Sequence, residues 1–164
     1  RVTEYSLRIA EKLNLPRKEI EMLKFCGPLH DIGKVGTDEN ILRRPSKLTE
    51  GEYKIIKEHP VTGENIIKHI KFLKEGLPVI RHHHERYDGK GYPDGLKGKN
   101  IPLLARILAV ADAFDAMTSD RPYRKAFSYQ EAITKLKEGS GTQFDPEIVK
   151  VAVDIFRIIT KIEL

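Results

Sequence analysis

The sequence has few of the residues on which several classes of protein depend. It contains no tryptophan and one cysteine, and aromatic residues make up 7% of its 164 positions. One cysteine excludes an internal disulfide framework and a cysteine-based zinc site, and it favours a reducing, cytoplasmic location. No apolar run approaches the ~20 residues that cross a bilayer, and no signal peptide opens the chain. We therefore expect no membrane partner, and the aromatic residues are too few for a surface that binds a nucleic-acid polymer.

The residues that are present describe one globular domain. Apolar residues are 40% and charged residues 32% of the chain, a balance typical of folded proteins. The length suits a single domain over residues 1–164. The chain starts at Arg1, without methionine and inside a helical pattern, so we expect an N-terminally truncated fragment of a longer protein. The net charge of +5 favours an anionic partner, and a lysine-rich solvated surface is the competing explanation.

Helical periodicity dominates the chain. Val2, Tyr5 and Ile9 lie on one helical face, and Thr49 and Ser128, each followed three residues later by glutamate, form capping boxes. Strand-like alternation is nowhere sustained, so we predict an all-α, single-domain helical bundle of about six to eight helices. The predicted helices cover a first segment to about residue 13 and residues 16–29, 49–59, 77–85 and 102–115, with two more from 128 and 146. Pro60 either kinks the helix that starts at 49 or begins another one to residue 70. Residues 33–47 and 88–98 are predicted loops.

Histidine and aspartate occur together in a way that suits a metal site. His30 precedes Asp31, and His83 precedes His84. Neutral imidazole and carboxylate oxygen are ligands of iron, manganese, nickel and zinc. On a helix, His30 and Asp31 point about 100° apart, so both reach one site only at a helix end, which Gly33 supplies. An ordinary surface His–Asp pair is the competing interpretation of these residues.

Asp112 adds a carboxylate on the most periodic predicted helix, where alanines surround it. Small neighbours let other backbones approach closely, and an acid on such a face must be paired or metal-bound.

Three other polar residues are not expected to be metal ligands. His82 is expected to be a neighbour of the ligands, His69 to be solvated, and Cys26 to be a buried core thiol.

Five motifs, in order along the chain, resemble those of the HD-GYP family, and they cover nearly its whole length. The motifs are His30-Asp31-Ile32-Gly33-Lys34; His59-Pro60 with Gly63; His83-His84-Glu85 with the loop Asp88-Gly89-Lys90-Gly91-Tyr92-Pro93 and Asp94-Gly95-Leu96; Ala111-Asp112-Ala113-Phe114-Asp115-Ala116-Met117; and Arg121-Pro122-Tyr123-Arg124, with Phe144-Asp145-Pro146 near the end. The resemblance implies an all-α phosphodiesterase of the HD superfamily of metal-dependent phosphohydrolases. It would hydrolyse cyclic di-GMP, a bacterial second messenger, to the linear dinucleotide pGpG, to GMP, or to both.

The resemblance also implies a metal centre of two or three divalent ions, with iron or manganese favoured over nickel or zinc. Asp31 would bridge two ions. His59, His83 and His84 would complete the coordination of one ion, and His30 and Asp112 would bind the other. A phosphodiester repels hydroxide, so its hydrolysis needs both charge neutralisation and an activated water, which two close cations supply. The implied ligands are His30, Asp31, His59, His83, His84 and Asp112.

Other family positions imply contacts to the substrate and support for the ligands. Lys34, Arg121 and Arg124 resemble residues that bind the substrate phosphate, arginine through a planar fork. The loop around Tyr92 would contact substrate, shape the rim of the site or dock a partner. The expected supporting and loop residues are Glu85, Asp88, Gly91, Tyr92, Pro93 and Asp115.

The chain departs from the family pattern at its beginning. HD-superfamily enzymes carry a further histidine on the first helix, which in this family lies shortly before a position like Arg1. We therefore expect the ion served by His30 and Asp112 to bind weakly and this fragment to be poorly active. Two alternatives stand beside a cyclic di-GMP phosphodiesterase: an interaction module that docks GGDEF diguanylate cyclases, and a phosphohydrolase of another nucleotide. The resemblance to this family also implies a sensor or receiver domain upstream on the same chain.

Overall fold

The computed structural model of the chain describes residues 1–42, 44, 46–120 and 124–162, with side chains to residue 159. Over these residues it has nine α-helices, eight of them with six or more residues, and no β-strand, so the predicted all-α fold is confirmed. Within the same ranges, no helix has both the length and the apolar character needed to cross a membrane. The helices are α1 (Val2–Lys12), α2 (Arg17–Leu29), α3 (Glu39–Leu42), α4 (Glu50–Ile56), α5 (His59–Ile67), α6 (Leu77–His82), α7 (Leu103–Met117), α8 (Tyr129–Glu138) and α9 (Pro146–Ile162), with 3₁₀ turns at Ile32–Gly36, Lys71–Gly76 and Gly98–Asn100.

Helix α7 is the central element of the core and carries Asp112. It packs against α1, α8 and α9. The Phe114 ring stacks on Phe156 with centroids 3.7 Å apart, and Tyr5 meets both rings edge-on at 5.4 and 5.3 Å. Such aromatic pairs add about 0.5–1.5 kcal/mol each beyond the burial of their area. The helix that presents Asp112 is therefore held rigidly.

Several helix boundaries differ from the predicted ones. Both capping boxes form as predicted, at Thr49 and Ser128. The predicted loop 33–47 contains part of a 3₁₀ turn and the single turn α3, which is too short to produce a periodic pattern. Helix α6 ends at His82 and not near residue 85, because the N–H groups of Tyr87 and Asp88 donate to carbonyls at 143 and 142.

Cys26 is a buried core thiol. It lies against Gly76, whose carbonyl oxygen is 3.7 Å from its sulfur. Burial raises the pKa of this thiol from 9.0 to about 12. The thiolate is therefore disfavoured in the folded protein, and stability should fall as the pH rises above the pKa of the unfolded thiol.

We accordingly expect Cys26 to react slowly with a thiol reagent in the folded protein. At pH 9 only roughly a thousandth of a thiol with a pKa near 12 is ionised, against about half in the unfolded chain. Labelling with Ellman's reagent should be about 100-fold or more slower in native buffer than in guanidinium chloride. Equal rates in the two solutions would contradict the burial of this side chain.

Candidate metal centre

Four imidazole rings from three parts of the chain form one group. His30 ends α2, His59 begins α5, and His83 and His84 follow α6. Neighbouring ring centroids lie 4.1–5.3 Å apart. Asp31 joins them, and one ligand atom from each of Asp31, His59, His83 and His84 lies within 4.8 Å of all the others.

The closeness of Asp31 to His59 depends on a glycine between two packed backbones. The 3₁₀ turn Ile32–Gly36 lies directly against α5, and a Cβ atom on Gly33 would be 1.9 Å from the His59 carbonyl oxygen. Gly63 stands opposite, with its own Cβ position 3.4 Å from the Gly33 nitrogen. This approach brings Asp31 Oδ1 to 3.3 Å from His59 Nε2.

Three of the histidines are oriented so that their Nε2 atoms face Asp31. Nδ1 of His30, His59 and His83 each lies 2.6–2.7 Å from the carbonyl oxygen three residues earlier. A carbonyl only accepts, so Nδ1 carries the hydrogen and a neutral ring keeps its lone pair on Nε2. Nε2 of His59 and Nε2 of His83 are only 3.2 Å apart. Two facing lone pairs at this distance repel unless a cation or a proton lies between them, so the donor set fits a metal ion.

His30 and Asp112 extend the group on the side of α7. His30 Nε2 lies 3.7 Å from Asp112 Oδ1 and 3.7 Å from Asp31 Oδ2. Burial opposes protonation of His30, but the nearby carboxylate of Asp112 and the charge of Asp31 raise its pKa. Two carboxylates converging on one imidazole make this side of the group a favourable place for positive charge.

Burial and mutual proximity disfavour the protonated forms of His83 and His84. Burial lowers the pKa of His83 well below its ordinary value, and the neighbouring His84 adds to the effect. Burial and then His59 lower the pKa of His84 to about 3. Burial opposes ionisation of Asp31, but the adjacent imidazole of His59 and the charges of His30 and Lys34 hold its pKa well below the ordinary value. Neutral imidazoles around an ionised carboxylate are the protonation states that metal binding requires.

The three predicted phosphate-binding residues have different positions. Lys34 Nζ lies 2.5 Å from Asp31 Oδ2 and so stands at the metal group. Arg124 Nη2 donates to the carbonyl oxygen of Ala116 at 2.7 Å, and its guanidinium lies over Phe127. These contacts place Arg124 near the end of α7. Arg121 lies outside the described residues.

The glycine-rich loop after His84 closes one side of the group. The Tyr92 ring stacks on His84 with centroids 5.0 Å apart, and the Tyr92 N–H donates to the His84 carbonyl at 3.3 Å. A Cβ on Gly91 would be 2.3 Å from the backbone nitrogen of Arg86. The Tyr92–Pro93 peptide is cis. Tyr92 thereby covers one ring of the group.

The predicted acidic supports act on the loop and on the first helix. Glu85 is 4% exposed and accepts from the Asp94 N–H at 2.7 Å, so its observed partner is the loop and not a histidine. Asp88 pairs with Arg86 at 2.7 Å. Asp115 pairs with Arg1 Nε at 2.9 Å. Each of these acids fixes a segment beside the metal group.

Asp94 anchors the glycine-rich loop, a role that the sequence does not indicate, and His82 takes part in the same contacts. Arg81 donates to both Asp94 carboxylate oxygens at 2.8 and 2.9 Å, and also to Glu64 at 2.7 Å. His82 Nε2 lies 2.9 Å from Asp94, and His82 is not among the residues whose ligand atoms converge with Asp31. An acid in a glycine-rich loop gives no signal that separates an anchor from a solvated turn, so this pairing required the structure.

Comparison with known proteins agrees with the fold and the cluster. A family model described as HD domain matches residues 1–148. The cyclic di-GMP phosphodiesterase response regulator RpfG of Xanthomonas campestris pv. campestris is 44% identical over 143 residues, 86% of this chain and 38% of that protein. A Thermotoga maritima protein named cyclic di-GMP phosphodiesterase is 40% identical over 164 residues, 99% of this chain and 45% of its own. This chain therefore spans less than half the length of these two curated relatives.

A solved structure shows the same fold. It is described as an HDG"Y"P protein from Bdellovibrio bacteriovorus and superposes with a TM-score of 0.77 at 24% identity, covering 95% of this chain and 50% of that one. An all-α domain with a His/Asp cluster suited to divalent metal defines the class. The chain belongs to the HD-domain family and, within it, to the HD-GYP proteins.

Proposed function

We propose that the full-length protein is a metal-dependent phosphodiesterase that hydrolyses a cyclic dinucleotide, with cyclic di-GMP as the first candidate substrate. The observation that carries this proposal is the convergence of imidazole Nε2 atoms on the Asp31 carboxylate. In the reaction a water oxygen adds to phosphorus and the bond from phosphorus to the 3′ oxygen breaks, giving pGpG. A second cleavage of the same kind gives GMP. Cytoplasmic location, where Cys26 stays reduced, completes the proposal.

Two sets of ligands would hold the ions. One ion would be held by Asp31, His59, His83 and His84, and a second by Asp31, His30 and Asp112. Iron and manganese are the favoured metals, and the site could hold a third ion. Bound divalent ions supply charge neutralisation on phosphate and lower the pKa of water. The chain itself fixes the imidazoles through their Nδ1 hydrogen bonds, and Tyr92 shields His84 from solvent.

Lys34 is proposed to act on the substrate phosphate. Its ammonium already lies at the Asp31 carboxylate and lines the cleft beside it. An ammonium at that position would stabilise the extra negative charge on phosphate in the transition state. Arg121 and Arg124 are proposed to bind the phosphates of the same substrate.

We expect Lys34→Gln to retain the metal and lose turnover. Removing one such charge-stabilising group lowers kcat by about 10²–10³-fold. Metal content by elemental analysis and kcat with cyclic di-GMP measure the two effects separately. Lys68→Gln, which changes an exposed lysine that bonds Asn65, is the matched control. A kcat for Lys34→Gln equal to that of the control would show that Lys34 has no role in the reaction.

A substrate panel tests the function itself. The full-length protein, loaded with Mn²⁺ or Fe²⁺, is incubated with cyclic di-GMP, with 3′,3′-cyclic GMP-AMP and with nucleoside monophosphates, and the products are separated by chromatography. Release of pGpG or GMP from cyclic di-GMP is expected. Turnover of another substrate alone would reassign the specificity. A metal-loaded protein that cleaves none of them would overturn the hydrolase and favour an interaction module.

The upstream segment is proposed to regulate this domain. RpfG is named a response regulator, and this chain covers 38% of it. We therefore propose a sensor or receiver domain on the same chain, and GGDEF diguanylate cyclases as candidate partners of the loop around Tyr92.

A further inference from the structure

A cleft of about 850 Å³ opens beside the metal group. One wall is formed by residues 41, 42, 44 and 46–48, and the other by Thr49 and α4. Its apolar lining includes Ile41, Leu48 and Ile56, and the Tyr53 ring, 48% exposed, lies in it as well. The volume falls within the range of about 300–1,000 Å³ that is typical of small-molecule sites.

Two independent contacts connect this cleft to the metal group. On one side, Lys34 both lines the cleft and touches the Asp31 carboxylate. On the other side, Lys57 Nζ lies 4.5 Å from the Tyr53 ring centroid and 5.3 Å from that of Tyr92. Tyr92 in turn stacks on His84. A ligand in the cleft can therefore reach the metal group without leaving the protein surface.

Cationic side chains outnumber carboxylates in the lining of the cleft, which favours an anion. Lys34, Arg44 and Lys47 line it beside the carboxylate of Glu50, and two of the three are already paired, Lys34 with Asp31 and Arg44 with Glu52 at 2.9 Å. Lys57 adds a further ammonium beside Tyr53. A cationic site with apolar walls and an accessible aromatic face matches a nucleotide, whose phosphate needs positive charge and whose base needs a flat apolar contact.

We propose that this cleft binds one purine nucleotide half of the substrate, with the base stacked on Tyr53 and Lys57 beside its phosphate. This deepens the proposed function, on which it rests for the reaction that follows binding. Tyr53 is then a specificity-determining residue outside the metal group. Lys57 contacts both the Tyr53 and the Tyr92 rings, and it thereby connects the cleft to the loop that covers His84.

Substitution of Tyr53 tests the cleft in the metal-loaded full-length protein. Tyr53→Leu keeps an apolar side chain and removes the ring, and it should raise KM for cyclic di-GMP about 5- to 100-fold, the range for loss of one base stack, with kcat changed less than about threefold. Tyr53→Phe keeps the ring and should leave KM within about twofold of wild type. Lys57→Met should raise KM as well. Phe72→Leu, at an exposed aromatic outside the cleft, is the matched control.

The outcomes separate the cleft from the hydrolase. Equilibrium dialysis with cyclic di-GMP is run beside the kinetics on the same variants. If Tyr53→Leu weakens binding but the wild type shows no turnover, the cleft binds the nucleotide and the proposed hydrolase activity is wrong. If the protein turns over cyclic di-GMP with the same KM in Tyr53→Leu and Phe72→Leu, the hydrolase activity stands and the proposed role of the cleft is wrong. If Tyr53→Leu does not fold, the KM of Lys57→Met is compared with that of Tyr53→Phe. An unchanged KM in Lys57→Met then overturns the proposal.

Discussion

Replacing Asp31 by asparagine is expected to remove the bound metal and to reduce kcat/KM by about 10³-fold or more. The substitution keeps the shape of the side chain and removes its charge, which is the only negative charge within the Asp31, His59, His83 and His84 set. An amide cannot bridge two cations, and its NH₂ group would donate to the imidazole lone pairs that a metal needs. Loss of one charge-stabilising group alone costs about 10²–10³-fold, and loss of the ion adds to that cost.

Thermal unfolding gives a readout of this variant that does not depend on activity. A metal that binds only the folded state raises Tm, so a chelator should lower Tm of the wild type. It should leave Tm of Asp31→Asn unchanged. Asp38→Asn is the control, because Asp38 is exposed and accepts from the Asn40 N–H, a contact that asparagine preserves. A chelator response in Asp31→Asn as large as in Asp38→Asn would exclude Asp31 as a ligand.

The helices could be predicted from the sequence because their signals are local. Each capping box involves residues three positions apart, and the structure contains both of them. The end of α2 at Leu29, just before His30, is also predictable, since Gly33 follows it closely. By contrast, α6 ends early through hydrogen bonds to residues 142 and 143, more than fifty positions away. No local pattern carries that information.

The metal group, too, could be predicted from the sequence only in part. Histidine and aspartate could be selected as candidates from their residue types and their resemblance to a family, and the structure brings His30, Asp31 and Asp112 together. The orientation of each ring depends on carbonyls that become available only when the helices end where they do. Tyr53 gives no comparable signal, because a tyrosine in an amphipathic helix is more often a surface or core residue than a ligand contact. Its place in a cleft follows from the packing of two separate segments.

Replacing Gly33 by alanine is expected to damage the metal group without changing any ligand. The added Cβ would lie 1.9 Å from the His59 carbonyl oxygen and 2.6 Å from the Gly63 nitrogen, both of which are backbone atoms that cannot rotate away. The turn must therefore move off α5 and carry Asp31 away from His59. Such overpacking costs about 1–3 kcal/mol or more, which lowers Tm by roughly 2–12 °C in a domain of this size.

Gly36→Ala is the matched control in the same turn. A Cβ there would meet only Thr62 Cγ2 at 3.9 Å, an ordinary contact, so its Tm should stay near that of wild type or rise slightly as the unfolded chain loses freedom. Metal affinity measured by titration should fall at least about tenfold in Gly33→Ala and remain unchanged in Gly36→Ala. If both variants bound metal equally well, the close contact between the turn and α5 could not be what positions Asp31. Because neither substitution alters charge or a donor atom, a difference between them would isolate backbone packing as the cause.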